Sequence, residues 1–163
     1  MPLSLSVRNI AVAIMLAATV LGAGCARQQK DLEAGMGAGV ATPGSAQDFQ
    51  VNVGDRVFFE TDSSALTPQS MATLDRQAQW LNQYPRYSFT LEGHADERGT
   101  REYNLALGAR RATAVRDYMV ARGIPAQRMR TISYGKERPV AVCDDISCWS
   151  QNRRTVTVLD AGA

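Results

Sequence analysis

The chain has 163 residues, 45% hydrophobic and 21% charged, a composition that fits one globular domain with a tail and excludes a disordered polyelectrolyte. Its 18 basic and 16 acidic residues leave a formal charge of +2, too balanced for nucleic-acid binding. Three cysteines cannot build a disulfide scaffold, and their odd number leaves one without a partner. From the N-terminus, Arg8 precedes an apolar run from Ile10 to Leu21 that only Thr19 interrupts, and the small residues Gly22, Ala23 and Gly24 follow. A basic start, a short apolar run and small residues before a cut predict a secretory signal peptide over residues 1–24. The run falls short of the roughly 20 apolar residues that a spanning helix needs, and an uncleaved short anchor is the competing reading.

Cys25 follows directly, and small residues before a cysteine resemble the lipobox of bacterial lipoproteins, whose cysteine is acylated and becomes the new N-terminus. The usual leucine stands one place further upstream here, as Leu21, with Gly22 in its slot; ordinary cleavage leaving Cys25 free is the rival. Cys143 and Cys148 can pair in an oxidising compartment, which leaves Cys25 over and favours its acylation. Two reduced cysteines in a turn remain the alternative, and a metal site is the weakest reading because His94 is the sole histidine. Ala26, where lipoproteins kept at the inner membrane often carry aspartate, is compatible with outer-membrane sorting. Residues 25–48 then read as a lipidated flexible tether: the segment holds no aromatic residue but does hold Gly35, Gly37, Gly39, Pro43 and Gly44. A coil of that length spans roughly 25 Å on average.

Every aromatic residue lies between Phe49 and Trp149, so the domain is expected over residues 49–163. Arg56 to Phe59 predicts a first strand. Thr67 and Pro68 read as the N-cap and first position of a helix with the stripe Met71, Leu74, Ala78 and Leu81. Tyr87, Phe89 and Leu91 alternate with polar residues, as in a strand with one buried face. A polar loop from Gly93 to Arg101 leads to a second helix, Glu102 to Arg122, with the expected core stripe Leu105, Ala112, Val115 and Met119 and with Gly123 as its stop. After a turn at Ile124-Pro125, strands are expected at Met129–Tyr134 and Arg154–Leu159. The order β-α-β-α-β-β gives an α+β fold, a two-layer α/β sandwich with helices on one sheet face.

Chemistry concentrates in Glu92–Thr100, between a strand and a helix, where loops of such folds carry function. On the following helix Asn104, Leu107 and Arg111 share one flank. Taken singly, each has a structural alternative: Asp96 as a capping carboxylate, Asp62 as an Asx-turn residue, Leu107 as core, and Arg110 as a solvated arginine. His94 beside Asp96, or Glu92 with Asp96, could suggest acid–base chemistry, but no nucleophile motif or metal-ligand cluster accompanies them.

The run Glu92–Arg111, EGHADERGTREYNLALGARR, resembles the signature of the OmpA-like peptidoglycan-binding domain family, in particular the lipoproteins of the Tol-Pal system. Phe58–Asp62, Ser133–Pro139 and Ser150–Arg154 match the family in order and extend the likeness across almost the whole domain. The resemblance implies a non-enzymatic, outer-membrane, lipid-anchored protein facing the periplasm, which holds the peptidoglycan stem through meso-diaminopimelate and needs no cofactor. It implies that Asp96 accepts from the ligand ammonium and Arg111 grips its carboxylate with two parallel N–H bonds. Asn104 and Leu107 would line the helix side, Asp62 would add acceptors, and Phe59 and His94 are further candidates at the site. The implied partners are TolB and, in addition, TolA, and the implied role is envelope integrity and cell division. An OmpA-like domain in another envelope complex and a periplasmic murein hydrolase are the alternatives.

Overall fold

The computed structural model describes residues 41–160. The expected signal peptide and Cys25 lie outside the described residues, as does the tether up to residue 40. Elements run in the order α1 (Ala46–Asp48), a π-helical turn (Phe49–Val53), β1 (Arg56–Phe58), α2 (Pro68–Gln83), β2 (Phe89–His94), α3 (Arg101–Ala121), a 3-10 turn (Ala126–Arg128), β3 (Met129–Gly135), α4 (Ile146–Asn152) and β4 (Arg154–Leu159). The strands form one sheet in the order β1-β4-β2-β3, with β2 and β3 parallel and the other pairs antiparallel. The expected two-layer sandwich is the observed architecture. Phe49, Val57, Leu74, Leu81, Phe89, Leu91, Val115, Met119 and Ile124 form its core between helices and sheet.

Local chemistry explains most boundaries. Thr67 caps α2 by accepting from the Ser70 amide at 3.1 Å, and Ser70 Oγ donates to the Phe58 carbonyl at 2.7 Å, tying the helix start to β1. Thr100, not Asp96, caps α3, accepting from the Tyr103 amide at 3.2 Å. At the other end Gly123 takes φ +87°, and the amides of Gly123 and Ile124 donate to the carbonyls of Val120 and Met119 at 3.0 and 3.1 Å. This paired closure satisfies carbonyls that the helix end would otherwise leave open.

Three expectations change. Leu105 is 45% exposed and does not belong to the core stripe of α3. The buried face is Asn104, Leu107, Gly108, Arg111, Ala112, Val115 and Met119. Apart from Leu107 its first half is polar or small, with Asn104, Gly108 and Arg111 against strand ends and loops, so apolar periodicity alone selects the wrong leucine. Gly93 and Gly108 face each other there, and a side chain on Gly93 would collide with the Gly108 carbonyl oxygen. That close approach presses α3 onto the end of β2.

The compact unit begins at Thr42, so residues 42–48 belong to the domain rather than to the tether. Tyr87 Oη and Arg86 Nη2 donate to the Gly44 carbonyl at 2.8 and 2.6 Å, and Trp80 Nε1 donates to Asp48 Oδ2 at 2.8 Å. A segment without aromatics of its own is held here by aromatics across from it. Finally, α4 stands between β3 and β4, where only a connection was expected. Asp145 caps it by accepting from the Ser147 amide at 2.8 Å, and a disulfide joins Cys143 to Cys148.

Candidate binding site

Three segments converge beyond the ends of β1 and β2: the loop after β1, the loop after β2, and the first turns of α3. Arg111 holds them together. Its side chain is fully buried, with Nε donating to Ser63 O at 2.8 Å, Nη1 to His94 O at 2.9 Å and Nη2 to Glu60 O at 3.1 Å. The guanidinium also lies 5.1 Å from the Phe59 ring centroid. Of five N–H donors, three serve backbone carbonyls and two remain, one on each terminal nitrogen. Burial lowers its pKa to about 10, with the Asp96 charge opposing, so it stays cationic at neutral pH.

In front of this anchor is a cavity of about 220 Å³ lined by Thr61, Asp62, Asp96, Arg98, Gly99, Tyr103, Asn104 and Leu107. Asp62 stands at φ +54° and accepts a hydrogen bond from Tyr103 Oη. Aspartate tolerates this left-handed conformation better than most residues do, so the turn and the carboxylate share one position. Asn104 is buried, and its Nδ2 donates to Arg98 O and Thr100 O at 2.7 and 3.1 Å, which fixes the loop against α3. Leu107 supplies the apolar floor.

Asp96 is 7% exposed. Arg98 grips its carboxylate with two bonds, Nε to Oδ1 at 3.1 Å and Nη2 to Oδ2 at 2.7 Å; the Arg98 amide adds a third at 3.3 Å. Arg153 Nη1 approaches Oδ2 at 3.5 Å. Burial alone would raise the Asp96 pKa, but these hydrogen bonds and the Arg98 charge outweigh it and hold the carboxyl below its usual range. The Arg98 guanidinium lies 4.3 Å from the Trp149 ring centroid, on α4.

The structure therefore brings Asp62, Asp96, Asn104 and Leu107 to one cavity, with Arg111 behind it. Phe59 is 3% exposed, a core ring beneath Arg111, and does not line the cavity. The His94 side chain is also elsewhere. It is 2% exposed, its Nε2 is 3.8 Å from Glu92 Oε2, and its ring centroid is 5.6 Å from that of Tyr134. Alternation along β2 turns it away with Glu92, and only its carbonyl serves the site, as an Arg111 acceptor. Burial and then the charges of Arg154 and Arg138 push its pKa down to about 4. Sequence reasoning passed over Thr61, Arg98, Gly99 and Tyr103. Tyr103 lies one turn before Leu107, which is the one signal that could have found it.

Comparison with known proteins adds to this geometry. The family model described as OmpA family matches residues 58–153. The chain is 69% identical over 153 residues to the peptidoglycan-associated lipoprotein of Rhizobium meliloti (strain 1021), covering 91% of this chain and 86% of that protein. It is 61% identical over 160 residues to the protein of the same name from Brucella melitensis biotype 1, covering 95% of each. The crystal structure of the peptidoglycan-associated lipoprotein from Burkholderia pseudomallei matches with a TM-score of 0.63 and 42% identity, over 65% of this chain and 90% of that one. The C-terminal domain of Helicobacter pylori MotB matches with a TM-score of 0.62 at 24% identity, over 67% of this chain and 86% of that one, a likeness of fold alone.

Proposed function

The chain belongs to the OmpA family, among the peptidoglycan-associated lipoproteins, and from that premise we propose that its domain binds the peptidoglycan stem non-covalently at meso-diaminopimelate. The free end of that residue carries an ammonium and a carboxylate on one carbon. Asp96 accepts from the ammonium, and the carboxylate takes the two N–H groups of Arg111 that no carbonyl holds, reaching past the cavity lining to the buried guanidinium. Asp62 adds an acceptor at the rim, Leu107 packs against the methylene chain, and Asn104 keeps the loop in place. The protein performs no reaction in this reading. A lipid on Cys25 anchors it in the outer membrane, the domain holds the wall from the periplasmic side, and TolB, with TolA, are its protein partners in a Tol-Pal system serving envelope integrity and cell division.

The observation that carries this reading is a buried carboxylate facing a small cavity, backed by a buried guanidinium, in a chain of this family. Co-sedimentation of purified protein with diaminopimelate-type sacculi tests it. Wild type should pellet with the sacculi and Asp96→Asn should remain in the supernatant with an unchanged circular dichroism spectrum; equal retention of the two would refute the site. Mass spectrometry of the mature N-terminus reads the anchor, which requires an acylated Cys25.

A further inference from the structure

The carboxylate at the centre of the cleft already holds a cation. Arg98 closes on both oxygens of Asp96, and the same guanidinium rests on the Trp149 ring. The backbone beneath it is pinned: Lys136 Nζ donates to Glu97 O and Gly99 O at 3.2 and 2.7 Å, and Asn104 Nδ2 donates to Arg98 O at 2.7 Å. The Arg98 side chain, by contrast, is 40% exposed. It can therefore leave Asp96 by side-chain rotation while Trp149 keeps it at the edge of the cleft.

We propose that Arg98 sets the specificity of the cleft by an exchange of ion pairs, yielding Asp96 only to a ligand with an ammonium and a carboxylate on the same carbon. This rests on the binding reading above and adds a residue to it. A ligand with an ammonium alone replaces a two-bond pair with a point-charge contact and strands the guanidinium. A ligand with both groups places its ammonium on Asp96 and offers its carboxylate to Arg98, so one ion pair becomes two. Arg111, with three donors committed to carbonyls, supplies the fixed part of carboxylate recognition; Arg98 supplies the part that penalises a ligand lacking it.

Calorimetric titration with two probes differing by one carboxylate reads this directly. One is meso-diaminopimelate blocked at one end as the N-acetyl amide; the other is lysine blocked in the same way. Wild type should prefer the first strongly. In Arg98→Gln the preference should fall by at least about tenfold, with tighter binding of the lysine probe than in wild type, because nothing is then displaced from Asp96. An unchanged ratio in a variant that still binds the diaminopimelate probe would overturn the role of Arg98 and leave the binding reading intact. Failure of wild type to bind either probe or sacculi would overturn the binding reading, and this inference with it.

Discussion

Arg111 at the back of the cleft and Arg98 at its mouth carry the same guanidinium in opposite settings. Arg111 is fully buried and fastens the loop after β1, through Glu60 and Ser63, and the end of β2, through His94, to α3. Arg98 is partly exposed, holds a carboxylate two residues away and leans on a single ring. A buried cation whose partners are carbonyls from distant loops is part of the framework, because folding itself delivers those partners. A cation that is itself 40% exposed is replaceable on a neighbouring carboxylate, because water solvates it when it leaves and other donors or a ligand can take its place. The back of the cleft is thus fixed by the fold, while its mouth is free to respond to what enters.

The sharpest way to break this contrast is to remove the back. Arg111→Ala empties a fully buried position and leaves three carbonyls without their donor, that of His94 in a buried bond, and it should cost about 4 kcal/mol or more, or prevent folding. Urea denaturation of the variant measures it, and a loss under about 1 kcal/mol would mean that Arg111 is not a fastener. The same geometry makes Arg111→Ala a poor probe of ligand contact, which is why Asp96→Asn is the variant for retention assays.

A second effect tests the face of β2 turned away from the cleft. His94 is buried with neither ring nitrogen hydrogen-bonded, and it faces Glu92 on its own strand, Arg154 on β4 and Arg138 after β3. The unfolded chain takes up the histidine proton as pH falls through about 6.5, whereas the folded chain stays neutral down to about 4. This contribution to stability is complete above pH 6.5 and is lost as pH falls from there towards 4, on the order of 3 kcal/mol. Urea midpoints for wild type and His94→Phe at pH 7.5 and 4.5 isolate it. The wild type should lose more stability than the variant; parallel losses would show that His94 is not held neutral.

Much of this organisation is legible in the sequence, and the exceptions share a cause. Thr67-Pro68, Gly123 and the strand Arg154–Leu159 are local signals, and the structure realises each within about a residue. Spacing puts Asn104, Leu107 and Arg111 on one flank of α3, whereas only the resemblance to a family motif joins Asp62 and Asp96 to them. Leu105 misled because periodicity assumes that the buried face of a helix is apolar, and α3 buries Asn104 and Arg111 instead. Arg98, in the loop after β2, meets Trp149, on α4 far along the chain, and Gly44 and Asp48 act through a carbonyl and a carboxylate whose donors lie on or just after α2. Tertiary hydrogen bonds of this kind leave no periodic trace.

The smallest expected change in stability falls on the mouth. Arg98→Gln removes the two side-chain bonds to Asp96 but leaves the Arg98 amide on Oδ1 and Arg153 Nη1 near Oδ2, so the buried carboxylate keeps two donors. The broken pair is partly exposed and screened, which puts its contribution between about 0 and 1 kcal/mol. The variant should therefore unfold in urea within about 1 kcal/mol of wild type. A larger loss would place Arg98 in the framework with Arg111 and remove the basis for an exchangeable mouth. A near-neutral result alongside an altered ligand preference would separate the two arginines as the geometry does, one answering to folding and the other to binding.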